Sequence, residues 1–142
     1  MAVDHRQLGV DLFNHTWSLL DKEGRTTVED DELLNAAYAS AYHWSRVGAP
    51  ENFARSQWQL SRVNAVLGRA EPALYHAQRC LDYCLENGIE DWDRAFAYEA
   101  LARAHRLAGN DEEARRNVQR AREIVVADEE DREHLEESLA TV

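Results

Sequence analysis

The 142-residue sequence predicts an all-α chain, and three observations carry that prediction. Apolar residues recur at spacings of three and four, as on one face of a helix, and no stretch alternates with period two. β-branched residues are sparse. The two prolines and six glycines fall between the periodic segments, where they punctuate helices instead of interrupting them.

About seven helices follow in order. The first covers about residues 4–22 and stops at Gly24. A second begins after Thr27, where "TVED" resembles a capping box, in which a hydroxyl and a carboxylate each accept from a free backbone N–H, and it ends at Gly48. Pro50 suits the opening turn of a third helix, about 51–67, because its missing N–H is not needed there; Gly68 closes it. The fourth, about 70–87, has Pro72 in its first turn and ends at Gly88. The fifth covers about 91–108 and ends at Gly109. Asn110 is placed to cap a sixth that runs to about 126, with Glu113 completing a second capping box. A short seventh, about 129–140, starts after Asp128.

Loops of about two to five residues join these helices, so neighbours are expected to pack antiparallel. The stripes agree: Tyr98, Leu101, Ala102 and His105 share one face, and Ala114, Val118, Ala121 and Val125 share the next. Each stripe is too narrow to fold alone. The acidic stretch "DEEDREHLEES" carries Leu135 and Leu139 at i, i+4 and reads as a capping helix, polar on its outside.

Composition narrows the function classes. Of the residues, 44% are hydrophobic and 30% charged, a globular balance. No apolar run approaches the roughly 20 residues of a membrane span. No basic segment precedes an apolar stretch at the N-terminus, so no secretory signal is expected and a cytoplasmic location is. The net charge of −11 is uneven. Residues 1–47 carry eight acids against four bases, residues 48–127 twelve against eleven, and residues 128–142 seven against one. Such a surface argues against nucleic acid, which needs a basic face. The acidic ends read first as solvated faces and second as complements to a basic partner. Cys80 and Cys84 lie four apart on one helical face, where the backbone disfavours a disulfide, and read as reduced, buried small hydrophobes.

A shift of 41 residues sets Ala54 on Ala95, Leu60 on Leu101, Arg62 on Arg103 and Gly68 on Gly109. It continues with Glu71 on Glu112, Ala73 on Ala114, and Gln78–Arg79 on Gln119–Arg120. Ala77 and Val118, Cys80 and Ala121, and Cys84 and Val125 match in character. The better copy, "AYEALARAHRLAGNDEEARRNVQRA", resembles a tetratricopeptide repeat through Tyr98, Leu101, Ala102, Gly109, Ala114 and Ala121. Small residues let two helices approach closely, and glycine permits the positive φ that ends the first. The earlier copy departs at Gln57 and Ser61, which stand for the aromatic and the small residue, and no proline closes either unit. The spacing also exceeds the usual repeat of about 34 residues, so the helices are longer.

The resemblance implies one domain over 1–142, a right-handed superhelix of antiparallel helix hairpins. It would comprise a degenerate hairpin at 4–48, repeats at 51–87 and 91–126, and a capping helix at 128–142. It further implies a concave groove for a peptide or protein segment, lined by the first helix of each pair. The matching positions are Arg55, Trp58, Arg62, Phe96, Glu99, Arg103 and Arg106. Arg62 and Arg103 would form a ladder gripping carboxylates. The competing reading of Arg103 is an ordinary i, i+4 ion pair with Glu99. The lysine and asparagine set of the family's carboxylate clamps is not found here.

Other candidates are weaker. His15 and His43 would meet if the first two helices form a hairpin, each beside an aromatic. His76, Cys80 and Cys84 form a helical stripe of ligand-type residues, but the cysteines sit at repeat core positions, and no CxxC or HExxH motif occurs. No metal, cofactor or catalytic residue is therefore expected. Trp17, Trp44, Trp58 and Trp92 read mainly as core, with coverage of an end by self-association as a homo-oligomer the other use. The leading expectation is a non-catalytic interaction module. The alternative is a ligand-sensing regulatory domain with a pocket in the aromatic, histidine-rich N-terminal half.

Overall fold

The computed structural model describes residues 2–142, and among them finds seven α-helices and no strand. They are α1 (His5–Asp21), α2 (Thr27–Val47), α3 (Pro50–Val66), α4 (Ala70–Glu86), α5 (Asp91–Leu107), α6 (Asp111–Glu123) and α7 (Glu129–Leu139). Among the described residues no helix is long and apolar enough to cross a membrane.

The caps explain most boundaries. Asp4 accepts from the backbone N–H of Gln7 at the start of α1, and Asp128 accepts from that of Asp131 at the start of α7. At α2 the capping box sits one residue earlier than its sequence suggests. The Thr26 hydroxyl accepts from Glu29 N–H, and the Glu29 carboxylate accepts from Thr26 N–H. Asp30, the acid that Thr27 would have needed, is instead bound by the Arg25 guanidinium at 2.8 Å. Glu29 is also paired with Lys22, whose hydrogen bond is the main reason its pKa falls to about 2.

The second expected capping box does not form. Asn110 stands at the N-cap of α6 without a side-chain cap hydrogen bond, and its amide lies 3.4 Å from His105 Nδ1. α6 also ends early, at Glu123, where Ile124 turns extended. That break resets the helical phase: Val125, expected in the buried stripe, is 85% exposed, and Val126 is buried in its place. Val126 then joins Ala95, Phe96, Ala121, Leu135 and Leu139 in the cluster that fastens α7.

Each helix from α1 to α5 packs on the next, and α3 also touches α5, as α5 touches α7. Short connections make each helix reverse on its predecessor. Fully buried alanines at Ala54, Ala73, Ala77, Ala95, Ala97, Ala102, Ala114 and Ala121 let these helices come close. Gly9 does the same for α1 and α2, since a Cβ there would lie 3.0 Å from the Trp44 ring. Gly68 and Gly109, equivalent under the 41-residue shift, both adopt positive φ. The residue after each donates five residues back, Arg69 to Asn64 and Asn110 to His105, both at 2.8 Å.

Both departures from the repeat pattern have a bonding reason. Ser61 Oγ donates to the Ala73 carbonyl at 2.8 Å, tying α3 to α4. Gln57 Oε1 lies 2.8 Å from Nδ1 of His76, which carries the proton, while Tyr38 Oη donates to Nε2 at 2.9 Å. Asn64 Nδ2 donates to the same Tyr38 oxygen at 3.2 Å. This arrangement needs a neutral imidazole, and burial lowers the His76 pKa to about 4.

Candidate functional site

The principal cavity, about 310 Å³, is drawn from four helices that are not neighbours in sequence. α1 supplies Phe13 and Trp17, and α3 supplies Ala54, Arg55 and Trp58. α5 supplies Trp92, Asp93 and Phe96, and α7 supplies Asp131 and His134. Cys80 is the one contribution from an even-numbered helix. On every odd helix the lining residues fall within one turn or so of each other, with a pair three or four apart, so each helix offers a single face.

The rings form a connected set. Phe13 meets Trp17 edge-on at 6.5 Å between centroids, and Trp17 lies 5.6 Å from Trp58. Trp58 meets Phe96 at 5.9 Å and 89° between planes. Phe96 in turn contacts Trp92 at 6.4 Å and His134 at 5.4 Å. Such separations suit the attraction of ring edges to ring faces.

Charge enters this wall in a defined way. Arg55 Nε and Nη2 each donate at 3.0 Å to one oxygen of the buried Asp93, a two-pronged pair across α3 and α5. The same guanidinium lies 4.6 Å over the Trp92 ring. Asp131, half-buried, takes part in none of the ion pairs found among the described residues.

A second cavity of about 200 Å³ adjoins the first, sharing Phe13 and Arg55 and adding Val10, Asn14, Trp44, Asn52 and Ser56. Two buried donors lie in these walls without hydrogen-bond partners, the Ser56 hydroxyl and Trp58 Nε1–H. Buried polar groups are ordinarily satisfied, so both mark places where an acceptor is missing.

The seven groove positions separate into three sets. Arg55, Trp58 and Phe96 line the principal cavity. Arg62, Glu99 and Arg103 form a cluster one to two turns further along α3 and α5. Its centre is Glu99, only 1% exposed. Arg62 Nη1 donates to its carboxylate at 3.3 Å, and Arg103 donates through Nη2 at 2.7 Å and Nε at 3.1 Å. The i, i+4 pair is therefore present, and the two ladder arginines converge on one buried carboxylate. Arg103 also donates to the Ser138 carbonyl and to Thr141 Oγ1, fastening the end of α7. Burial, then the neighbouring Arg103 charge, lowers the pKa of Arg62. Arg106 stands apart, paired with Asp111 at 3.0 Å, and lines a cleft of about 250 Å³ with Arg103.

The histidines do not meet as expected. His43 Nδ1 lies 2.9 Å from Nδ1 of His5, and His15 lies 2.7 Å from Glu32. Both pairs fit one antiparallel register of α1 on α2. In that register His15 and His43 are offset by about ten residues, or roughly 15 Å along the axis. Cys80 and Cys84 are buried and free, while His76 is held by Tyr38 and Gln57. Among the described residues no three His, Cys, Asp or Glu side chains are grouped to hold a metal ion. Five of the eleven residues lining the cavity, Phe13, Trp17, Ala54, Arg55 and Trp58, come from the N-terminal half, and the other six from residues 80–134.

Sequence reasoning missed Phe13, Trp17, Trp92, Asp93, Asp131 and His134 as site residues. One signal was available: Trp17 and Trp58 are themselves 41 residues apart, in the same register as the repeat. No protein-family model, curated protein or solved structure matches this chain.

Proposed function

We propose that the chain is a non-catalytic, tetratricopeptide-like interaction module that holds a peptide or protein segment against its odd-numbered helices. In this reading the hairpins stack as a right-handed superhelix, and α1, α3, α5 and α7 face its concave side. The observation that carries it is the cavity itself, walled by those four helices with one residue from any other. The contacts of α3 with α5 and of α5 with α7, and the matching closures at Gly68 and Gly109, support the stacking. A peptide suits the two unpartnered donors, because its backbone offers a carbonyl at every residue. An aromatic wall supplies contact area at low conformational cost. The reduced Cys80 and Cys84 fit a cytoplasmic setting.

The experiment is a selection from a displayed random-peptide library on the purified protein, repeated with Trp58→Leu. Enrichment of a common sequence pattern that Trp58→Leu abolishes is the expected result. Absence of enrichment, or enrichment unaffected by the substitution, overturns the reading.

One observation favours a second reading, a small-molecule sensor: the cavity volume falls at the lower end of the roughly 300–1,000 Å³ of ligand sites. A small molecule retained in native mass spectra of the wild type and lost from Trp58→Leu would favour it.

A further inference from the structure

The principal cavity offers a bound group aromatic rings and very few hydrogen-bond acceptors, and that combination selects among ligands. We infer that it is an aromatic cage for a quaternary ammonium group, the trimethylammonium end of a modified lysine in the bound segment. The inference rests on the peptide-binding reading above and specifies what the peptide inserts.

Three observations carry it. Trp17, Trp58, Trp92 and Phe96 surround one space, and ring faces attract a cation within about 6 Å of their centroids. The cavity wall already makes such a contact, with the Arg55 guanidinium 4.6 Å over Trp92.

The second observation is the charge balance. Arg55 is neutralised by its two-pronged bond to Asp93, which leaves the unpaired Asp131 as the net charge of the wall. α7, which carries Asp131, adds Glu129, Glu130 and Glu133 around it against Arg132 alone. A bound anion would face this helix unfavourably, and a neutral group would leave Asp131 desolvated without a counter-charge.

The third observation is the lack of acceptors. Both Asp93 oxygens are engaged by Arg55. An unmodified lysine ammonium brings three N–H donors and a strong hydration shell, and it would lose more hydrogen bonds than the Asp131 carboxylate and one His134 ring nitrogen can replace. A trimethylammonium has no N–H to satisfy and is weakly hydrated, so the rings and one carboxylate are sufficient.

Binding of choline and of its uncharged carbon analogue, with tert-butyl in place of trimethylammonium, followed by calorimetry, tests the cage. A short peptide carrying trimethyllysine, the same peptide with plain lysine, and the library-selected peptides complete the set. Choline is expected to bind about tenfold more tightly than its analogue. The trimethyllysine peptide should bind more tightly than both choline and the lysine peptide. Asp131→Asn, at a half-buried position, should weaken choline several-fold, and Trp58→Phe should retain most binding because a ring remains. Equal binding of choline and its analogue, or of the two lysine peptides, overturns the cage. Choline as tight as the trimethyllysine peptide overturns the peptide as its source. If neither ammonium probe binds while selected peptides do, the cage fails and the groove stands; if nothing binds, both fail.

Discussion

Glu99 shows how far one side chain can bind distant parts of this chain together. Its buried carboxylate lies between Arg62 of α3 and Arg103 of α5, and Arg103 reaches on to α7. Removing one partner of a buried ionic cluster costs more than the cluster contributes, because the remaining charges stay desolvated. Glu99→Gln should therefore lower the unfolding free energy by about 3 kcal/mol in urea titrations. His76 makes the second residue-scale prediction. Its folded pKa of about 4 lies below the ordinary histidine value of 6.5, so between these values the unfolded chain binds the proton more readily. Its contribution is complete above pH 6.5 and declines as pH falls toward 4. Urea midpoints compared at pH 7.5 and 4.5 should show the loss, and His76→Gln should flatten it. At this scale the sequence was only half legible. Gln57 and Ser61 looked like defects in a repeat because their partners, His76 and the Ala73 carbonyl, lie on another helix.

Helices were far easier to read than their ends. Periodicity, proline and glycine located all seven to within a residue or two, except the C-terminus of α6. The misplaced ends have local causes. Two overlapping threonine–acid pairs compete at α2, and the longer Glu29 closes the box because Arg25 already holds Asp30. Thr26→Ala should accordingly cost about 1 kcal/mol, while Thr27→Ala should stay within a few tenths, both read from thermal unfolding. At α6 the hydrophobic stripe continued in sequence to Val125, but the chain must turn there to lay α7 on α5. The glycine closures make a matched prediction. Gly68→Ala and Gly109→Ala force a Cβ into positive φ, and each should cost about 1 kcal/mol. Nothing lies within 4 Å of either added Cβ, so conformation alone sets the penalty.

Across the whole molecule, the cavity joins residues as far apart in sequence as Phe13 and His134. Periodicity assigns each of them to a helical face, but it does not say which faces meet. That depends on how each hairpin is rotated on the next, set here by alanine contacts, the Arg55–Asp93 pair and the Glu99 cluster. Arg55, Trp58 and Phe96, which line the cavity, were within reach of the sequence because they fall in the two stretches related by the 41-residue shift. Asp131 and His134 were not, because α7 carries no repeat pattern. The odd-numbered helices are proposed to form the binding face. The most direct test of that proposal is a nuclear magnetic resonance titration of the nitrogen-labelled protein with a library-selected peptide. The indole N–H signals of Trp17, Trp58 and Trp92 are expected to move, while the backbone amides of the exposed Tyr75 on α4 and Arg115 on α6 stay in place. Movement at Tyr75 and Arg115, with the three indoles unchanged, would contradict the proposal.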